Sequence, residues 1–219
     1  MTMYKRLVVA ALILFLSSAA ALIFVASRDR TVKIDPAQPD ERVLGLSIAP
    51  FSAVDQDGHP VTREDLNGQV TVVNFIFTHC VLVCPAMTDT LSKVVDRLKG
   101  TRTRFLSLSI DPRHDTPETL KKFAANYDAD HTRWRFAVAP EGQIETLLRD
   151  GLKFALREDP DPANRIKLPG DDAGEMSNII HPSWFVLVGR DGKVLGVYSS
   201  TSFEEIDALV ERARALDKP

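Results

Sequence analysis

Two cysteines pose the first chemical question. Cys80 and Cys84 lie in the stretch FTHCVLVCP, Phe77 to Pro85, and the 219-residue chain has no others. A redox thioredoxin places two residues between its cysteines; here there are three. Pro85 suits the first turn of a helix, which puts Cys84 at a helix N-terminus. The helix dipole and the unbonded N–H groups there favour a thiolate, so a lowered Cys84 pKa is expected. Three intervening residues can bring the sulfurs together to close a disulfide or to share a soft metal ion. His79 adds a potential positive charge beside Cys80.

Two thiolates rarely hold a metal alone, and histidine is the natural third ligand. The five histidines are His59, His79, His114, His131 and His181. His59 falls in a turn, His114 in a loop and His131 in polar sequence, and all three read as surface residues. His181 differs, because it ends a long polar segment and opens an apolar run. Two soft thiolates and one imidazole suit copper. A structural zinc site would want four ligands, and three are evident.

The surrounding elements follow from periodicity. Residues 70–77 are almost wholly apolar or β-branched, which predicts a strand buried on both faces, ending at the cysteines. Met87, Leu91, Val94, Val95 and Leu98 then fall on one helical face, with Gly100 as the stop. RFLSLSI (104–110) is a second buried strand. Thr116 and Pro117 read as the cap and first residue of a helix whose inner face is Leu120, Phe123, Ala124 and Tyr127. A short strand at 136–139 and a helix marked by Ile144, Leu147 and Leu148 come next. Residues 155–178 are polar and rich in Pro, Gly and Asp, and read as disordered or as a functional lid. Asp57-Gly58 and Asp191-Gly192 mark hairpin turns. A last helix is expected to bury Phe203, Ile206, Leu209, Val210 and Ala213. Alternating strands and helices predict an α/β domain with a central sheet. A strand ending in a cysteine pair at a helix start is the thioredoxin-like arrangement.

At the N-terminus, Lys5 and Arg6 precede an apolar run from Leu7 to Ala26. Such a run, at about 1.5 Å per residue, spans a bilayer core of roughly 30 Å. A cleaved signal peptide and a retained transmembrane anchor both fit, and the length favours the anchor. The expected organisation is an anchor or signal peptide over 1–27, a tether over 28–47 and one domain over 48–219. The expected location is a bacterial-type inner membrane, single-pass, with the domain on the periplasmic side. A cysteine pair there meets an oxidising compartment. A net charge of -3 and the lack of a basic stripe speak against a nucleic-acid surface.

Three segments in order, NFIFTHCVLVCP, SLSIDPRHDTPETLKKF and HPSWFVLVGRDGKV, resemble the Sco/SenC family. The resemblance runs from about Ile48 to the C-terminus. It implies a thioredoxin-like fold with a central mixed β-sheet flanked by helices. It further implies copper, as Cu(I) or Cu(II) or both, bound by Cys80, Cys84 and His181. Family members help assemble the dinuclear copper centre of cytochrome c oxidase, by delivering copper, by reducing the receiving cysteines, or both. The implied partner is the copper-bearing oxidase subunit. Asp111 and Asp115 match the middle motif; for Asp115 the plainer reading is a cap on the helix that follows.

Two departures stand out. The family commonly has Pro-Asp after its first cysteine, where this chain has Val81-Leu82-Val83, and Ser or Thr after the late histidine, where this chain has Pro182. A proline there resembles the cis-proline of redox thioredoxins, which leans toward thiol chemistry. A metal-independent thiol–disulfide oxidoreductase, using Cys80 and Cys84 as its redox pair, is therefore the alternative. A purely structural disulfide would close too small a loop to stabilise much.

Overall fold

A computed structural model describes residues 35–80, 83–168 and 174–217. The expected membrane segment at 1–27 lies outside them. Among the described residues no helix is long and apolar enough to cross a membrane.

Seven strands form the central sheet: β1 (Ser52–Asp55), β2 (Pro60–Thr62), β3 (Thr71–Ile76), β4 (Arg104–Ser109), β5 (Trp134–Val138), β10 (Trp184–Val188) and β11 (Val194–Ser199). Their order is β11-β10-β3-β4-β5-β1-β2. β3, β4 and β5 are parallel, whereas the pairs on either side are antiparallel, so the sheet is mixed as expected. All six residues of β3 are buried, which is why its sequence lacks alternation. Two short ribbons lie apart from the sheet: β6 (Arg157–Glu158) with β9 (Ile179–Ile180), and β7 (Ile166–Lys167) with β8 (Glu175–Met176). β6, β7 and β8 fall within the segment 155–178 read as disordered or a lid, and β9 follows directly after it. Strands of two residues are too short to show periodicity.

The main helices are α1 (Val83–Arg97), α2 (Pro117–Ala125) and α4 (Phe203–Asp217). A short α3 (Gln143–Thr146) continues into a wider turn, Leu147–Gly151. Met87, Leu91, Val94 and Leu98 are buried along α1, and Gly100, at φ +85°, provides the left-handed turn beyond it. Thr116 caps α2, its hydroxyl accepting from Thr119 N at 3.3 Å. In α4, Ile206, Leu209, Val210 and Ala213 are buried, but Phe203 is 90% exposed, contrary to expectation. It begins the helix, where the chain has just left the sheet and has no layer to bury against.

The segment before the sheet is held closely from its first described residues. Asp40 N donates to Leu195 O at 2.9 Å, and Ser47 N donates to Gly151 O at 3.0 Å. On α4, Arg212 donates to Pro36 O at 3.0 Å, to the Asp40 carboxylate at 2.8 Å, to Tyr198 Oη at 3.1 Å and to Gln38 O. Two glycines permit this approach. A Cβ at Gly151 would meet Ser47 O at 2.6 Å, and one at Gly196 would meet Tyr198 Oη at 2.7 Å. Residues 36–47, read above as part of the tether, are thus a strap along the β11 edge.

Candidate metal centre

The site forms where β3 ends. Phe77 N-terminal to the turn is fully buried, and Cys80 N donates to Phe77 O at 3.3 Å. The chain then enters α1, with Cys84 wholly buried in its first turn and Cys80 8% exposed. Val81 and Leu82 lie outside the described residues. Cys84 N donates to Cys80 Sγ at 3.3 Å, so the first cysteine's sulfur satisfies one of the helix's initial N–H groups.

His181 reaches the pair from the other side. It stands three residues before β10, which is hydrogen-bonded to β3, so the sheet register carries it to the cysteine turn. Its Nε2 lies 3.7 Å from Cys84 Sγ, across 97 residues of sequence. Its Nδ1 lies 3.1 Å from Pro182 O. A carbonyl oxygen only accepts, so Nδ1 carries the hydrogen and Nε2 turns its lone pair toward the sulfur. Phe77 meets the imidazole edge-on, with ring centroids 6.1 Å apart.

Of the three expected ligands, Cys84 and His181 meet directly, and Cys80 is joined to Cys84 through its backbone amide. Among the described residues no three His, Cys, Asp or Glu side chains stand as a finished metal cage. The donor set fits a soft ion nonetheless: two sulfurs and a neutral imidazole nitrogen at one buried turn. Burial holds the His181 pKa below its usual value, which keeps that nitrogen unprotonated.

The expected thiolate at Cys84 does not hold. The hydrogen bond with Cys80 and then burial push the Cys84 thiol well above its usual range. The helix N-terminus is present, but its N–H is already used by the Cys80 sulfur, and water is excluded. A metal that binds here must displace protons. The analogy of Pro182 to a cis-proline also fails, since no peptide bond among the described residues is cis.

Asp115 does not cap α2, as Thr116 does so itself. Its buried carboxylate instead accepts from Thr78 Oγ1 at 2.6 Å, from Ser109 Oγ at 2.5 Å and from Thr78 N at 3.2 Å. It therefore ties the turn before Cys80 to the end of β4. Burial raises its pKa against those hydrogen bonds. Sequence reasoning missed Thr78 and Ser109; Thr78 sits two residues before Cys80, but nothing in the spacing shows its partner 37 residues away.

The other histidines make contacts with groups other than the thiols. His59 is 73% exposed, as expected. His114 and His131, read as plain surface residues, are each held by a carboxylate at 2.8 Å, Asp111 and Asp57 respectively. His79 packs edge-on against His114, with ring centroids 5.8 Å apart.

Comparison with known proteins gives the family and the fold. The SCO1/SenC family profile matches residues 40–216. The SCO1 protein homolog of Bacillus subtilis is 36% identical over 179 residues, covering 79% of this chain and 86% of that protein. A solved structure of BsSco, described as a member of the Sco family of cytochrome c oxidase assembly proteins with a disulfide switch, is 33% identical. Its TM-score is 0.65, and the match covers 80% of this chain and 95% of that one. The structure of Bradyrhizobium japonicum ScoI with copper bound shares the fold, with a TM-score of 0.61 at 23% identity over 77% of this chain and 99% of that one.

Proposed function

Because the chain belongs to the SCO1/SenC family, we propose that it carries copper and assists assembly of cytochrome c oxidase, with Cys80, Cys84 and His181 as ligands. Copper is cargo in this reading, delivered to the dinuclear copper centre of the oxidase's copper-bearing subunit. One observation carries it above all: Cys84 Sγ and His181 Nε2 lie 3.7 Å apart although 97 residues separate them. The copper reading gives that imidazole a place as the third ligand. A second reading keeps the cysteines as a redox pair that reduces a disulfide of the acceptor to two thiols while Cys80 and Cys84 become a disulfide; the two cysteines at one turn and the disulfide switch described for BsSco favour it.

In the copper reading the protein's own residues do three things. Burial excludes water from the Cys84 sulfur. The Pro182 carbonyl fixes the tautomer that presents Nε2. The Cys84 amide aims the Cys80 sulfur at the helix start. The bound ion would contribute soft Lewis acidity matched to thiolate and imidazole donors. The apolar run at 7–26 supports a membrane-anchored chain with its domain on the periplasmic side of a bacterial-type inner membrane.

Anaerobic titration of the reduced protein with Cu(I) against a chromophoric competitor tests the ligand set. The expected result is one tightly held ion per chain. Loss of a residue that merely orients a ligand costs about 10–100-fold in affinity, so His181→Ala and Cys80→Ser should each lose at least about a hundredfold. Unchanged affinity in His181→Ala would refute the three-ligand site. Weak binding by the parent, with a readily reversible Cys80–Cys84 disulfide, would favour the redox reading.

A further inference from the structure

A groove of about 480 Å³ opens beside the thiols, reaching from Cys80 and His181 to the ribbons that carry β7 and β9. Its walls mix two kinds of residue. Val83 lies between the two cysteines and Ile180 beside His181, and they are 46% and 38% exposed. Arg165 and Lys167 also line it, both exposed. Among the described residues neither cation has a side-chain hydrogen bond or ion pair. Lys167 lies opposite Glu175 in the β7–β8 register, yet no ion pair joins them. By contrast, the nearby Arg113 is engaged with Glu158.

We infer that this groove receives an extended, acidic segment of the copper acceptor and guides it onto Cys80. The inference rests on the copper-transfer reading and deepens it. Three observations fix the occupant's chemistry. The ribbons are two-stranded, so each has an unpaired edge that an extended backbone can join. The exposed apolar pair beside the thiols favours burial by a partner rather than by water. The two unpartnered cations select for carboxylates and steer their approach.

The test uses the full chain, reduced, and fluorescence anisotropy with synthetic twelve-residue peptides. Each peptide has serine at its two cysteine positions, so that no covalent bond forms. One carries three aspartates and the other carries asparagine in their place. Two exposed ion pairs predict roughly tenfold tighter binding of the acidic peptide near 10 mM ionic strength, with the advantage shrinking at about 0.15 M. The double substitution Arg165→Glu with Lys167→Glu should abolish or reverse that preference. The same variant should bind Cu(I) like the parent, because neither cation touches the thiols.

Equal binding of the two peptides, or an undiminished preference in the double variant, would overturn the docking assignment while leaving copper binding intact. Loss of Cu(I) binding in the double variant would overturn it too, since the cations would then be structural. A dimer of the chain that the double substitution abolishes would give the groove to a second copy, also against the inference. If the parent fails to bind Cu(I) but still prefers the acidic peptide, the copper reading falls and the groove survives.

Discussion

Asp115 shows how one buried carboxylate governs the approach to the thiols. It accepts from Thr78 Oγ1, Thr78 N and Ser109 Oγ, so its removal leaves three donors short of an acceptor. The gain from no longer burying an acid offsets part of that loss. Asp115→Ala should cost about 1–3 kcal/mol, and Asp115→Asn less, because an amide oxygen can still accept; urea midpoints measure both. Asp57 offers a pH test. Its hydrogen bond from Lys121, then those with Gln56 and His131, hold its carboxyl far below the usual range. A depressed folded pKa contributes stability that is present above the unfolded value near 4 and is lost as pH falls toward the folded one. The stability gap between parent and Asp57→Asn should therefore be full above about pH 4 and shrink toward pH 2, as thermal midpoints across that range would reveal. His181 and the two cysteines were legible from residue type and position alone. The Cys84 pKa was not, because it depends on which group takes the helix N–H and on how completely water is excluded.

The elements divide by whether their pattern is local. β3 and β4 are long apolar runs, and α1 and α2 have clear caps or a regular apolar face, so their sequences announce them. The ribbons at 157–180 and the strap at 36–47 announce nothing. The strands of the ribbons are two residues long, too short for a period, and the strap is held by contacts to residues far away in sequence. Arg212 is the strap's main fastener, joining Pro36, Gln38 and Asp40 to α4. Replacing it with alanine should speed amide exchange over residues 36–47 by about ten- to a hundredfold while β3 keeps its protection, as a local opening would. Hydrogen exchange read by mass spectrometry distinguishes that outcome from global loss of stability, which would accelerate β3 equally.

At the scale of the molecule, the strap makes residues before 48 part of the domain's stability. Val43 is 4% exposed, Asp40 pairs with Arg212 at 2.8 Å, and Ser47 bridges to Lys193. A chain beginning at residue 48 should be less stable than one beginning at residue 36 by about 2–3 kcal/mol, a fall in Tm of roughly 5–10 °C in scanning calorimetry. The sequence by itself determined the α/β class and the strand that delivers the cysteines, and it singled out Cys80, Cys84 and His181 as candidate ligands by residue type. Those follow from residue chemistry and from periods of two and 3.6, which are local properties. Only the tertiary structure decided that His181 Nε2 lies against Cys84 Sγ, that Asp115 fastens Thr78, and that an apolar groove with two unpartnered cations adjoins the thiols. Each depends on which strands are neighbours and in what register. Pairing across a hundred residues is set by the packing of the whole core, and no short stretch of chain records it.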